Sequence, residues 1–238
     1  MISKWGIYAK IKAKRRSSLV FTLIFASNIF LIILPSAAQA NDKIPNFNHD
    51  NYIFNLPNKN REVYITIDDG FTLNYKARDY ILSNKLPVNN FIIAKLLLNK
   101  KYRDFYRPLM LPESSGNHTL NHRYLPAVSN NTIQNEICEG ERVIGESFGV
   151  VPTFFRPPFG GVSARVLREA EKCGYHNLIL WDVTANGYKM GTWGSKKLIA
   201  GDIILLHWNK QLDLTLKVLV ERAKRDGVVF AYLPTSIG

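Results

Sequence analysis

The chain has 238 residues, 46% of them hydrophobic and 21% charged. That balance supports the core of one domain and excludes a disordered or low-complexity chain. Lys and Arg outnumber Asp and Glu by 31 to 19, for a formal charge of +12; this suits anionic polymers, but no nucleic-acid recognition motif accompanies it, so nucleic acid is not an expected partner.

Residues 1–40 read as a secretory signal. Lys4, Lys10, Lys12, Lys14, Arg15 and Arg16 form a basic leader with no acid, and Leu19 to Leu34 is apolar apart from Thr22, Ser27 and Asn28. Ala38-Gln39-Ala40 then fits a small-x-small cleavage site. The alternative is an uncleaved anchor, for which the apolar stretch is short. Half of the formal charge belongs to this leader. The expected location is the periplasm, cell envelope or exterior. Any membrane association would run through the leader alone, and the expected state is a monomer.

Residues 41–62 are rich in Asn, Pro and Lys and read as an irregular arm. Residues 63–238 form the expected catalytic domain. Val63–Ile67 is a buried strand running into Asp68-Asp69-Gly70. Thr72–Lys85 reads as a helix, and Asn90–Ala94 as a second strand. Lys95–Ser115 reads as helix and loop, interrupted by Pro108 and Pro112. Ser129-Asn130-Asn131 caps a helix over Thr132–Phe148 that stops at Gly149. Strands at Thr153–Arg156, Asn177–Trp181, Asp202–Leu206 and Val228–Ala231 alternate with helices at Ser163–Cys173 and Leu212–Arg225. Cys138 and Cys173 are either one disulfide or two half-buried thiols, and spacing does not decide between them.

Apolar strands alternating with helices predict a parallel sheet covered by helices. Several strands run straight into a polar residue: Ile67 into Asp68-Asp69, Phe155 into Arg156, Trp181 into Asp182, Leu206 into His207. In a barrel of parallel strands those ends share one rim. The predicted class is therefore α/β, with a TIM-like barrel as the architecture.

The chemistry follows from residue types. His118 and His122 are four apart, which on a helix turn capped by Asn117 places both imidazoles on one face. One carboxylate with two imidazoles makes the three-ligand set of a catalytic zinc site. A second carboxylate beside the ion can take a proton from water. Arg156-Pro157-Pro158-Phe159-Gly160 is a stiff segment able to aim Arg156 at a carboxylate and a backbone N–H at an oxyanion. His207 is a candidate general acid. Trp181, Tyr188 and Trp208 offer aromatic platforms for a sugar, or ordinary packing.

Taken in order, Thr66-Ile67-Asp68-Asp69-Gly70, His118-Thr119-Leu120-Asn121-His122, Arg156-Pro157-Pro158-Phe159-Gly160, Trp181-Asp182-Val183 and Leu205-Leu206-His207 resemble the five motifs of the polysaccharide deacetylases, the NodB-homology or carbohydrate esterase family 4. The resemblance covers about Val63 to the C-terminus. It implies a distorted (β/α)7 barrel that removes acetyl groups from an N-acetylated polysaccharide, peptidoglycan or a chitin-like polymer. By that likeness Asp68 is the general base, and Asp69 binds a divalent metal with His118 and His122. The metal would be Zn²⁺, with Co²⁺, Ni²⁺ or Mn²⁺ as alternatives. Arg156 orients Asp68, His207 protonates the departing amine, and a backbone N–H near Phe159 holds the oxyanion. Pro157, Phe159, Trp181, Asp182 and Tyr188 are the expected substrate contacts.

Two departures from the pattern stand out. Pro112-Glu113-Ser114-Ser115 precedes the His motif where the family has a strand. The fourth motif has Thr184 and Tyr188 where the family carries an acid that tunes the His and a Trp. Either Asp182 substitutes for that acid, or His207 is less well poised. Two further readings stay open: a sugar-binding protein on a retired catalytic scaffold, and an O-acetyl esterase.

Overall fold

The computed structural model describes residues 51–192 and 197–238. The expected signal segment, and the first part of the arm with it, lie outside the described residues.

The sheet is built from β1 (Tyr52–Ile53), β2 (Glu62–Asp69), β3 (Val88–Ile92), β4 (Ser115–Asn117), β5 (Phe154–Phe155), β6 (Leu178–Ile179), β7 (Val183–Asn186), β8 (Lys189–Thr192), β9 (Ile203–His207) and β10 (Val229–Phe230). Five α-helices accompany it among the described residues: α1 (Tyr75–Ser83), α2 (Lys100–Tyr106), α3 (Asn130–Phe148), α4 (Ala164–Glu171) and α5 (Leu212–Asp226). The strand order is β1-β6-β5-β4-β3-β2-β9-β7-β8, with β10 added beside β2. Among the described residues every strand pairing is parallel except the β7–β8 hairpin. The sheet curls into a half-barrel. Its β1 edge curls round toward β9, where Asn55, just past β1, bridges to Asp202, just before β9.

β2 shows why the sequence curls this way. Val63, Ile65 and Ile67 pack outward in the cluster that includes Ala77 and Ile81 of α1 and Leu216 and Leu219 of α5. Tyr64 alternates to the other face, where it packs with Phe91, Phe154, Ile179 and Ile203 in the barrel interior. Thr66 and Asp68 share the face of Tyr64, so the interior is apolar at its floor and polar at its rim.

Three elements differ from the sequence reading. The arm is not wholly irregular, because Tyr52–Ile53 adds an edge strand parallel to β6. A short strand, β4, does enter the His motif, between β3 and β5. The stretch after Trp181 is a hairpin, β7–β8, which local pattern had left unassigned. α3 matches its expected caps: the Ser129 side chain accepts the Thr132 N–H, and Gly149 ends the helix at φ 74°. Cys138 of α3 and Cys173, just beyond α4, are joined in a disulfide. No helix among the described residues is long and apolar enough to cross a membrane.

Candidate functional site

Register places the site. Asp68 of β2 lies opposite Phe91 of β3 and His207 of β9, while Asp69 lies opposite Ile92. Ile92 pairs with Asn117, and Asn117 with Phe155. Asp68, Asp69, His118, Arg156 and His207 therefore leave neighbouring strands at one level.

The two imidazoles do not lie on a helix turn. They sit in the loop after β4, where Thr119 (φ 67°) and His122 (φ 60°) take left-handed conformations. That turn folds the second ring back on the first, with centroids 4.8 Å apart. Asn117 holds the turn from inside: its Oδ1 accepts the Thr119 N–H at 2.9 Å and its Nδ2 donates to the Ile137 carbonyl at 2.8 Å. α3 approaches so closely that a Cβ on Gly140 would stand 2.6 Å from Asn117 Oδ1. Only a glycine fits there. Asp69 and Phe159 also have positive φ, at 75° and 61°. Left-handed non-glycine residues cost of order 1–3 kcal/mol each and gather where function requires them.

His118 is buried, and its Nδ1 lies 2.7 Å from the Arg156 carbonyl oxygen. A carbonyl only accepts, so Nδ1 carries the hydrogen and Nε2 keeps its lone pair. That Nε2 stands 3.7 Å from both Asp69 Oδ1 and Asp68 Oδ2. His122 Nε2 is 3.2 Å from Asp69 Oδ1. One ligand atom each from Asp69, His118 and His122 fits within 4.8 Å of the others. Asp69 Oδ1 is buried and has no hydrogen-bond donor among the described residues, with His122 Nε2 3.2 Å away. A buried carboxylate oxygen without a donor is costly. Here it shares a small space with two nitrogen lone pairs, so the donor set fits a divalent cation.

The protonation states agree. Burial pushes the His118 imidazole down, against the opposing pull of Asp68, and keeps it a neutral ligand. Burial alone would raise the Asp69 carboxyl, but His122, His118 and His207 outweigh it and hold Asp69 below the usual carboxylate range.

Asp68 is buried and gripped by Arg156. Arg156 has no exposed surface, and its Nη1 donates to Asp68 Oδ1 at 2.7 Å. The same Nη1 lies 2.7 Å from Thr66 Oγ1. Nε and Nη2 donate to the Ile179 and Leu180 carbonyls. The guanidinium stacks over Phe91, 4.2 Å from the ring centre. Asp68 Oδ2 is left for chemistry.

The Pro157-Pro158 turn follows. Both prolines are buried, so Pro157 shapes the turn without presenting surface of its own. Gly160 and Gly161 donate inside the turn, to the Pro157 and Pro158 carbonyls. Proline has no N–H, which leaves the Phe159 amide as the donor free for a ligand. The Phe159 ring is exposed and lies 4.6 Å from the His122 ring. Trp181 packs behind Gly160, and with Phe54, Phe159 and Leu180 it lines an apolar cavity of about 190 Å³. His207 stands exposed at the rim, near enough to lower the Asp69 carboxyl.

Three expected platform or rim residues lie elsewhere. Asp182 Oδ1 accepts the Ile203 N–H, at the opposite end of β9 from His207. The chain uses the residues after Trp181 to begin a new strand, which carries Asp182 away from the rim. Tyr188 lines a hollow with Lys217, Val218 and Glu221 of α5. Trp208 is buried against Phe105 and Tyr106 and donates to Asn90. Sequence reading also missed Glu136, and it gave Thr66 no role of its own. Glu136 is buried on the apolar face of α3, where it accepts from the Asn121 N–H at 2.7 Å and from its Nδ2 at 2.9 Å. An acid between Ile133 and Ile137 in an apolar stripe was the available sign.

Known proteins resemble this chain in sequence and fold. The polysaccharide deacetylase family model matches residues 55–178. An uncharacterised protein of Streptomyces coelicolor is 32% identical over 162 residues, covering 67% of this chain and 65% of that protein. A peptidoglycan-N-acetylglucosamine deacetylase of Bacillus cereus is 28% identical over 162 residues, covering 64% of this chain and 75% of that one. This chain thus spans about two thirds to three quarters of these relatives' length. A solved peptidoglycan N-acetylglucosamine deacetylase superposes with a TM-score of 0.63 at 23% identity, over 77% of this chain and 91% of that one. At that identity the likeness speaks for the fold. With more than half of the chain matched by the family model, the chain belongs to the polysaccharide deacetylase family.

Proposed function

We propose that this protein is exported and hydrolyses acetamido groups on an N-acetylated polysaccharide, releasing acetate and leaving a free amine. The observation that carries the reading is the Asp69–His118–His122 donor set beside a second carboxylate, Asp68, locked by a buried arginine. Asp69, His118 and His122 would hold the metal, and the imidazole-rich set fits Zn²⁺. Such an ion supplies Lewis acidity, which polarises an acyl oxygen and acidifies water.

The remaining roles belong to the chain itself. Arg156 fixes Asp68 Oδ1, so Oδ2 is aimed at the space shared with His118 Nε2 and serves as base for the attacking water. The Phe159 N–H supports the oxyanion of the tetrahedral intermediate. His207, at the rim, donates a proton as the C–N bond breaks, so nitrogen leaves as an amine. The apolar cavity lined by Phe159 and Trp181 has ample room for the acetyl methyl. The leader and the disulfide support a location outside the cytoplasm.

Acetate release from N-acetylglucosamine oligomers and from peptidoglycan tests this reading. Chelation and Asp69→Asn should each reduce release at least 100-fold, and added Zn²⁺ should restore the chelated wild type only. No release from any N-acetylated polymer, with glycan binding retained, would favour a binding protein instead; the placement of Asp182 away from His207 is the observation on that side. Faster release from acetylated xylan than from chitin fragments would move the assignment to an ester.

A further inference from the structure

Glu136 is a buried charged group that the proposed chemistry does not use. It is 2% exposed and sits on the stripe of α3 that also buries Ile133 and Ile137. A lone carboxylate enclosed on that stripe would cost stability, so its partners must explain its place. Among the described residues its side-chain partners all lie in the loop after β4. Oε2 accepts the Asn121 N–H at 2.7 Å, and Oε1 accepts from Asn121 Nδ2 at 2.9 Å. Oε1 also lies 3.1 Å from Arg123 Nε. The Glu136 carbonyl adds the Leu120 N–H, at 2.8 Å. One residue of α3 therefore grips the chain immediately before and immediately after His122.

His122 needs such a hold. Its φ of 60° and the 67° of Thr119 are left-handed, and non-glycine residues stay in that region only where their surroundings over-determine it. The two imidazoles are also fixed in different ways. His118 is anchored through its ring, by Nδ1 against the Arg156 carbonyl. The His122 ring lies beside those of His118 and Phe159, with Nε2 toward Asp69, and its backbone N–H donates to Thr119 Oγ1. The aim of this ring is set from its backbone, and Glu136 pins that backbone on both sides.

We infer that Glu136 is a positioning residue of the metal centre: by clamping Asn121 and Arg123 it aims His122 at the point shared with Asp69 and His118, and so governs how tightly the three hold a divalent cation. The inference rests on the donor-set reading of Asp69, His118 and His122. It goes further by assigning the aim of one ligand to a side chain of α3 that touches neither ligand ring nor substrate. A ligand left loose lowers affinity, because the ion must then order it on binding.

The test strips the full chain of metal with a chelator and titrates Zn²⁺ in competition with a chromophoric chelator, alongside melting curves with and without the ion. Glu136→Gln keeps the volume but leaves a single acceptor oxygen and removes the charge facing Arg123. It should weaken Zn²⁺ binding about tenfold, at the lower end of what groups that orient metal ligands contribute. The rise in melting temperature on adding Zn²⁺ should shrink with it. Saturating Zn²⁺ should restore acetate release to Glu136→Gln at unchanged KM, since the residue reaches no substrate. Glu169→Gln is the control. Glu169 is also 2% exposed, on α4, and pairs with Lys172, three residues on. Its substitution should lower the melting temperature of the metal-free protein and leave Zn²⁺ affinity as in the wild type. Wild-type affinity in Glu136→Gln, or an equal loss in Glu169→Gln, overturns the positioning role and leaves the donor set standing. Should Glu136→Gln fail to fold, Arg123→Met decides in its place: it spares both Asn121 hydrogen bonds, a loss of about threefold supports the role, and unchanged affinity overturns it. A wild type that binds no Zn²⁺ would defeat the donor set itself, and this role with it.

Discussion

Asp68 and Arg156 show how much one buried pair can determine. Both are enclosed, and the arginine spends four donor contacts on Asp68, Thr66 and two carbonyls. Removing one member of a buried charge pair costs about 3–5 kcal/mol, because the other is left desolvated and alone. Arg156→Met should therefore lower unfolding stability by about that much in urea titration, and acetate release should fall with it. Asp182 behaves differently. Burial first, then the charge of Asp202, raise its carboxyl from 3.8 to about 6, against the Ile203 N–H that lowers it. The folded state then holds this proton more tightly than the unfolded chain. Its contribution to stability is full below about pH 4 and is lost as pH rises through about 6. Asp182→Asn keeps an acceptor for Ile203 and removes the charge. The variant should melt a few degrees higher than wild type at pH 8, with little difference at pH 4. A melting series across that range checks the sign.

At the scale of elements, the loop after β4 and helix α3 act as a unit. The loop carries both imidazoles, and α3 supplies Glu136 to its backbone and Gly140 to its close approach. The Cys138–Cys173 bond ties α3 to the end of α4, across a sequence separation of 35. Closing a loop of that length removes about 4 kcal/mol of chain entropy from the unfolded state in the simplest model. Replacing both cysteines by serine should lower stability by about 2–4 kcal/mol, read by denaturant unfolding. Reductant should do the same to the wild type and nothing further to the variant. The residues that made α3 legible were its caps, Ser129 and Gly149, together with its apolar stripe. The loop was not legible, because an i, i+4 pair of histidines has the same spacing on a helix turn as in a left-handed loop.

Across the whole molecule, the curled sheet brings residues from β2, β4, β5 and β9 to one level, and a metal held there would bind the folded chain alone. Binding of that kind raises stability in proportion to RT ln(1 + [L]/Kd), about 2.7 kcal/mol when the ligand is at 100 times its Kd. Adding Zn²⁺ to chelated protein should therefore raise its melting temperature by several degrees. Asp69→Asn should remove most of that rise, and Asp182→Asn should keep it. This readout depends on the donor set and is independent of turnover.

The sequence by itself determined the parallel α/β alternation and the identity of the residues that meet as a donor set, because apolar period and strand-end carboxylates are local properties. It also carried His207 and Arg156, each standing directly after an apolar strand. The tertiary structure alone decided which polar strand ends share the rim. Asp182 follows an apolar run as Asp68 does, yet its chain turns at once into β7, whose register with β9 sets it opposite Ile203 rather than His207. The same held for Tyr188 and Trp208, whose rings went to α5 and to the core. Residue type fixes what a side chain can do; which neighbours it meets depends on strand register and packing between segments far apart in the chain, and no local pattern encodes that.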